Sequence, residues 1–256
     1  EGEKVGPGSV FRMGILAASD SKITFGVDGL FKYEVFGQEL WITNTHVSLL
    51  LVVLTLTILA LFANRAIKKA DPNEVPGTFL NIIEYLVELV DGLTRNNMGE
   101  KHYSKFSNYI GTLFAFLIVA NLSGLFGLRP PTADYGVTLG LALITFVLIH
   151  YNGFKYEKAG HVTKLFQPIL LTPINIIGEI ATPMSMSLRL FGNILSGTVM
   201  MGLLYGLLPK LLQFFIWPIF GGLHVYFDVF SGAIQSYVFC MLTMVFISQC
   251  FGEEEA

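Results

Sequence analysis

The stretch "THVSLLLVVLTLTILALFA", Thr45–Ala63, runs for nineteen residues without a formal charge. A helix needs about 20 apolar residues to cross about 30 Å of hydrocarbon, so this segment spans a membrane once. "NRAIKKADP" follows at once and stops it. The rest of the chain has the same character. Of its 256 residues, 53% are hydrophobic and only 14% are charged, and the mean hydropathy is +0.61. Soluble domains carry about 25% charged residues, so too few charges remain here to solvate a surface. The expectation is an all-α, multi-pass membrane protein.

Four further apolar runs are expected to cross: 109–128, 135–151, 165–208 and 211–251. Between the first two crossings, residues 78–93 ("TFLNIIEYLVELVDGL") are too short and too acidic to cross. Glu84, Glu88 and Asp91 recur there at i, i+4, i+7, which predicts an amphipathic interfacial helix. Residues 1–43 are mixed, with short alternating patches such as "LFKYEVF" between glycines, and suggest a small hairpin outside the membrane. No secretory signal is evident in "VFRMGILAAS". Residues 44–256 are taken as one membrane domain.

Lysine and arginine asymmetry orients the spans. Residues 64–108 carry Arg65, Lys68, Lys69, Arg95, Lys101 and Lys105, and residues 152–168 carry Lys155, Lys158 and Lys164. These loops are assigned to the cytoplasm, with the N-terminus outside and the C-terminus inside. The last two runs are too long for upright spans. Forty-four residues make about 66 Å of helix, so each run is broken or steeply tilted.

Sixteen Lys and Arg residues occur, and only Arg189 falls inside an apolar run. A membrane-buried arginine costs roughly 2.5–3.5 kcal/mol or more and normally faces a partner or water. At 100° per residue, Asn175, Gly178, Thr182, Ser185, Asn193 and Ser196 lie within about 40° of Arg189. They form one narrow polar stripe. Glu179 is about 80° away and about 15 Å along the axis, so it is not an evident counter-ion. On the last run, His224, Asp228, Ser231 and Gln235 follow at spacings of 4, 3 and 4, a second stripe with His224 one turn before Asp228. His150 closes the third span and reads as interfacial. Cys240 and Cys250 read as packing residues. No nucleotide loop, metal-ligand cluster or hydrolytic constellation is present, and the modest net charge of −3 gives no hint of nucleic acid. The chemistry on offer is moving a cation, with no cofactor and no metal. An ion-coupled secondary transporter is the alternative, although no inverted repeat is evident.

"PMSMSLRLFGNILSG", Pro183–Gly197, closely resembles the signature of the a subunit of F-type ATP synthases. "IQSYVFCMLTMVFIS", Ile234–Ser248, resembles that family's final helix, with Gln235 at its glutamine. "NIIEYLVELV" followed by a span containing "NLSGLFG" also fits. The resemblance implies that the last two helices form a tilted hairpin against a rotating c-ring. Arg189 would be the essential ion-translocation arginine. Asp228 and His224 would line an outer half-channel and Glu179 an inner one, with Gln235 and Asn193 holding water or orienting Arg189. Nine residues after the arginine, where some members carry a glutamate paired with a histidine on the last helix, the corresponding positions here are Thr198 and Asp228. The implied partners are the c-ring, the peripheral-stalk b subunits and lipid, and the implied ion is H+, with Na+ as the other candidate. The implied setting is a bacterial-type plasma membrane, and the chain would not be catalytic alone.

Overall fold

A computed structural model describes residues 29–35, 38–70, 77–126, 128–156, 160, 163, 166, 171–207, 221–223 and 225–251. It begins with an antiparallel hairpin, β1 (Gly29–Val35) and β2 (Gln38–Thr43), in which Lys32 lies opposite Trp41 and Tyr33 opposite Leu40. The hairpin suggested for the N-terminal segment is thus present in its second half, while residues 1–28 lie outside the described residues.

Helix α1, Asn44–Lys69, starts directly from β2. The Thr43 hydroxyl lies 2.7 Å from Nδ1 of His46, and the Thr43 amide donates to the same nitrogen at 3.4 Å. This reciprocal cap satisfies donors that a helix start leaves bare. Only Thr45, Ser48 and Val52 of α1 are buried, so most of its apolar surface faces away from the rest of the chain. Helix α2 (Thr78–Met98) ends at Gly99, whose φ of 77° favours a residue without a Cβ. Arg95 fastens this corner. Its side chain lies 3.3 Å from Glu100 and its guanidinium 4.6 Å from the centre of the Tyr103 ring. Both neighbours hold its pKa above the ordinary arginine value. Glu84, Glu88 and Asp91 share a groove of about 800 Å³ with Ile67 of α1, as their spacing predicts, and Asp91 also accepts a hydrogen bond from Ser107.

Helix α3 (Tyr103–Leu122) tightens into a 3-10 turn at Ser123–Phe126. A second short 3-10 turn, Pro131–Ala133, leads to α4, Tyr135–Tyr156. Asp134 caps α4 by accepting from the Gly136 amide at 3.0 Å. Helix α5 is Thr172–Leu207 and continues through Pro183. A π-helical turn, Val225–Ser231, passes into α6, Gly232–Ser248. Helix α4 lies along α5, α2 along α3, and α3 along α6. Their shared core includes Leu117, Leu190, Phe239, Met244 and Ile247.

Among the described residues, five helical segments are long and apolar enough to cross a membrane, the last of them taking in the π-turn before α6, as the apolar runs predict. Several ends differ. Lys105 and Lys155, expected in loops, lie inside α3 and α4. Long basic side chains let a helix continue into the interface while the charge reaches water. The 36 residues of α5 make about 54 Å of helix, still well above the hydrocarbon thickness. Residues 165, 167–170, 208, 211–220 and 224 of the expected last two runs lie outside the described residues.

Candidate functional site

Arg189 stands midway along α5 and is exposed. It lines a cleft of about 220 Å³ with Gly178, Ala181, Thr182, Ser185 and Met186 of α5 and with Leu242 and Phe246 of α6. Four members of the sequence-derived stripe, Gly178, Thr182, Ser185 and Arg189, therefore share one wall. The small residues keep that wall low, so a further helix can approach the guanidinium. Thr182 returns its hydroxyl to the Gly178 carbonyl at 3.0 Å, which satisfies the group without extending it into the cleft. No ion pair or hydrogen bond joins Arg189 to another described residue. A charge in this position has a high free energy unless a partner or water completes it.

Glu179 has turned to another neighbour. Its Oε2 lies 3.7 Å from Nε2 of His150, with the two side chains 34% and 26% exposed. Nδ1 of His150 lies 3.0 Å from the Phe146 carbonyl. Sequence reasoning separated Glu179 from Arg189 but missed His150, because the partner sits on a different helix. The position of His150 at the end of its span was the available signal.

The remaining stripe members divide. Asn193 faces the π-turn: its Nδ2 donates to the Ser231 carbonyl at 3.4 Å, and its Oδ1 accepts from the Ser231 hydroxyl at 2.9 Å. Ser196 and Thr198 are exposed and bond back to the Asn193 and Leu195 carbonyls, both at 2.9 Å. Gly197 admits the ring of Phe227, which would lie 3.5 Å from a Cβ there.

Asp228 lies within the π-turn and is half-buried. Its carboxyl would be 3.7 Å from a Cβ placed on Gly124. The spacing of 4, 3 and 4 assumed α-helical geometry. Across Val225–Ser231 the turns are wider, so the spacing does not translate into one α-helical face. His224 lies outside the described residues. Gln235, in the first turn of α6, is 8% exposed, and its Nε2 has no hydrogen-bond partner among the described residues. It is a buried donor available to a group from elsewhere. Cys240 and Cys250 are both buried, as packing residues should be. No His, Cys, Asp and Glu cluster suited to a metal occurs among the described residues.

Asn121 is the second residue that sequence reasoning passed over. It is buried and binds across helices at both ends of its amide, to Thr132 on one side and to Gly232 and Ser236 on the other. Its presence in "NLSGLFG" was visible, but its partners were not.

Comparison with known proteins identifies the family. The family described as ATP synthase A chain matches residues 46–248. The sodium ion specific ATP synthase subunit a of Propionigenium modestum is 36% identical over 84% of this chain and 76% of its own length. The ATP synthase subunit a of Desulforamulus reducens is 34% identical over 88% and 86%, respectively. That of Staphylococcus saprophyticus is 33% identical over 86% and 96%. These matches set aside the secondary transporter. The chain belongs to the ATP synthase a subunit family, as a multi-pass, ion-translocating stator component of the membrane sector that is not catalytic by itself.

Proposed function

We propose that Arg189 is the ion-translocation arginine of this subunit and that its counter-ion is a carboxylate on the c-ring. The observation that carries this reading is the exposed guanidinium on a low, small-residue wall, without an ionic partner among the described residues. A ring carboxylate that approaches the cleft gives up its ion to one half-channel, is held by the guanidinium in its ionised form, and takes up an ion from the other half-channel as it moves on. The same positive charge raises a barrier against an ion passing straight between the two sides. One charge crossing 100 mV gains about 2.3 kcal/mol, and successive ring steps sum such increments into rotation.

Two offset half-channels feed the ring. Asp228, with His224, belongs to the outer route, and its half-buried place beside Gly124 supports that assignment. Glu179 belongs to the inner route, together with His150. Gln235, in the first turn of α6, offers an amide donor that has no partner among the described residues. Asn193, Ser196 and Thr198 also belong to the ion pathway, Asn193 through its bonds to Ser231 and the other two through their exposed hydroxyls. The peripheral-stalk b subunits are the other protein partners. The membrane is a bacterial-type plasma membrane, with the N-terminus outside and the C-terminus in the cytoplasm.

The ion is H+. Na+ is the second reading, favoured by the 36% identity to a relative described as sodium ion specific. ATP synthesis in reconstituted vesicles under a sodium gradient alone, compared with a proton gradient alone, separates the two. Arg189→Ala is expected to abolish gradient-driven ATP synthesis. Rates equal to those of the unaltered complex would overturn the assignment.

A further inference from the structure

We infer that Asn121 is a positioning residue for the ion route, holding the π-to-α junction at Ser231–Gly232 and thereby fixing Asp228. This rests on the reading of Asp228 as part of the outer half-channel. A π-turn shifts the regular α-helical ladder, and side-chain donors to the carbonyls beside it help to hold that shift. In a membrane such groups have no water to fall back on. Here the two carbonyls at the junction receive side-chain donors from two flanking elements. Asn193 of α5 donates to Ser231 at 3.4 Å. Asn121 of α3 donates to Gly232 at 3.0 Å, and the Ser236 hydroxyl adds a bond to the same carbonyl at 2.8 Å.

The Asn121 amide is itself held from three directions. Nδ2 also donates to Ser236 Oγ at 3.0 Å, and Oδ1 accepts from the Thr132 hydroxyl at 2.7 Å. Thr132 and Ser236 are fully buried. With both ends of the amide engaged, its orientation is fixed. Gly232 makes the contact possible, since a Cβ there would lie 3.0 Å from the Asn121 Cβ. Gly124, three residues after Asn121, is the surface against which Asp228 sits. One short stretch of α3 and its 3-10 turn therefore both clamps the junction and walls the carboxylate. If the clamp is released, the π-turn can relax toward α geometry and rotate Asp228 away from Gly124.

The test uses the whole complex in membrane vesicles. Gradient-driven ATP synthesis is measured while the outer pH varies at fixed inner pH, then with the two roles exchanged. Asn121→Ala is expected to lower the rate severalfold and to shift the outer-pH midpoint by about one unit, with the inner-pH profile unmoved. Thr132→Val removes only the bond to Oδ1, so a smaller shift in the same direction is expected. Should Asn121→Ala fail to accumulate in the membrane, Thr132→Val decides the matter. The charged groups on the surrounding elements are Lys105 on α3, Glu179 and Arg189 on α5, and Arg129 and Asp134 in the α3–α4 connection; none is altered. A uniform fall at every pH, or no change, would overturn the positioning role. Asp228→Asn is run alongside. If that variant leaves the outer-pH profile intact, the reading of Asp228 fails. If it alters the profile while the Asn121 and Thr132 variants do not, only the positioning inference fails.

Discussion

A methyl group at position 232 would sit 3.0 Å from the Cβ of Asn121, whose side chain is buried and bonded at both ends. Neither side can give way easily. Overpacking of this kind costs typically 1–3 kcal/mol, which outweighs the gain of up to about 1 kcal/mol from replacing glycine in a helix. Gly232→Ala is therefore expected to lower the thermal midpoint of the detergent-purified complex and to slow ATP-driven ion pumping. Gly140→Ala is the matched control, because nothing lies within 4 Å of a Cβ there; its midpoint should hold or rise. Equal midpoints for the two variants would remove the close approach from the account. At this scale the sequence disclosed unevenly. Arg189 was legible because a charge in an apolar run is costly wherever its partner lies. Asn121 and Gly232 were not, since a buried amide and a glycine acquire meaning only from what faces them.

The helices themselves were legible from the length of their apolar runs, because backbone groups in hydrocarbon leave few alternatives to a helix. The π-turn was not. It receives donors from α3 and α5 that arrive only when the bundle is assembled. The same limit hid the contact between α4 and α5 through His150 and Glu179. This pair is 3.7 Å apart and about a quarter to a third exposed. Ion pairs with that much access to water contribute about 0–1 kcal/mol, too little to fasten two long helices whose packing already includes Ile149, Met186 and Leu190. Its effect should therefore appear in transport. Glu179→Gln is expected to leave the amount of assembled complex unchanged and to slow ATP-driven pumping severalfold. His150→Gln should act in the same direction, and the double variant should be little worse than Glu179→Gln alone, as for two groups on one route. Multiplicative losses would separate them, and a loss of assembly would make the pair a fastener.

Across the whole molecule, α5 carries two kinds of exposed surface. Ile174, Ile177, Ile180, Leu188 and Met200 are all largely exposed and apolar, while Arg189 stands on a low, small-residue wall of the cleft between α5 and α6. Association with the ring should draw mainly on the apolar area and on close packing, since lipid and side chains differ little in polarity. The arginine supplies a charge that must engage each ring carboxylate and then let it go. An interaction that strong would halt rotation if it also carried the docking. Arg189→Ala should therefore still co-purify with the c-ring in mild detergent, in the same ratio as the unaltered chain, although ATP synthesis is lost. Replacing Gly178 and Ser185 together by Leu raises the wall around the arginine. That change should weaken co-purification with the ring while leaving the charge in place. If Arg189→Ala loses the ring and the doubly substituted wall keeps it, docking depends on the charge, and the division of labour drawn here between shape and electrostatics is wrong.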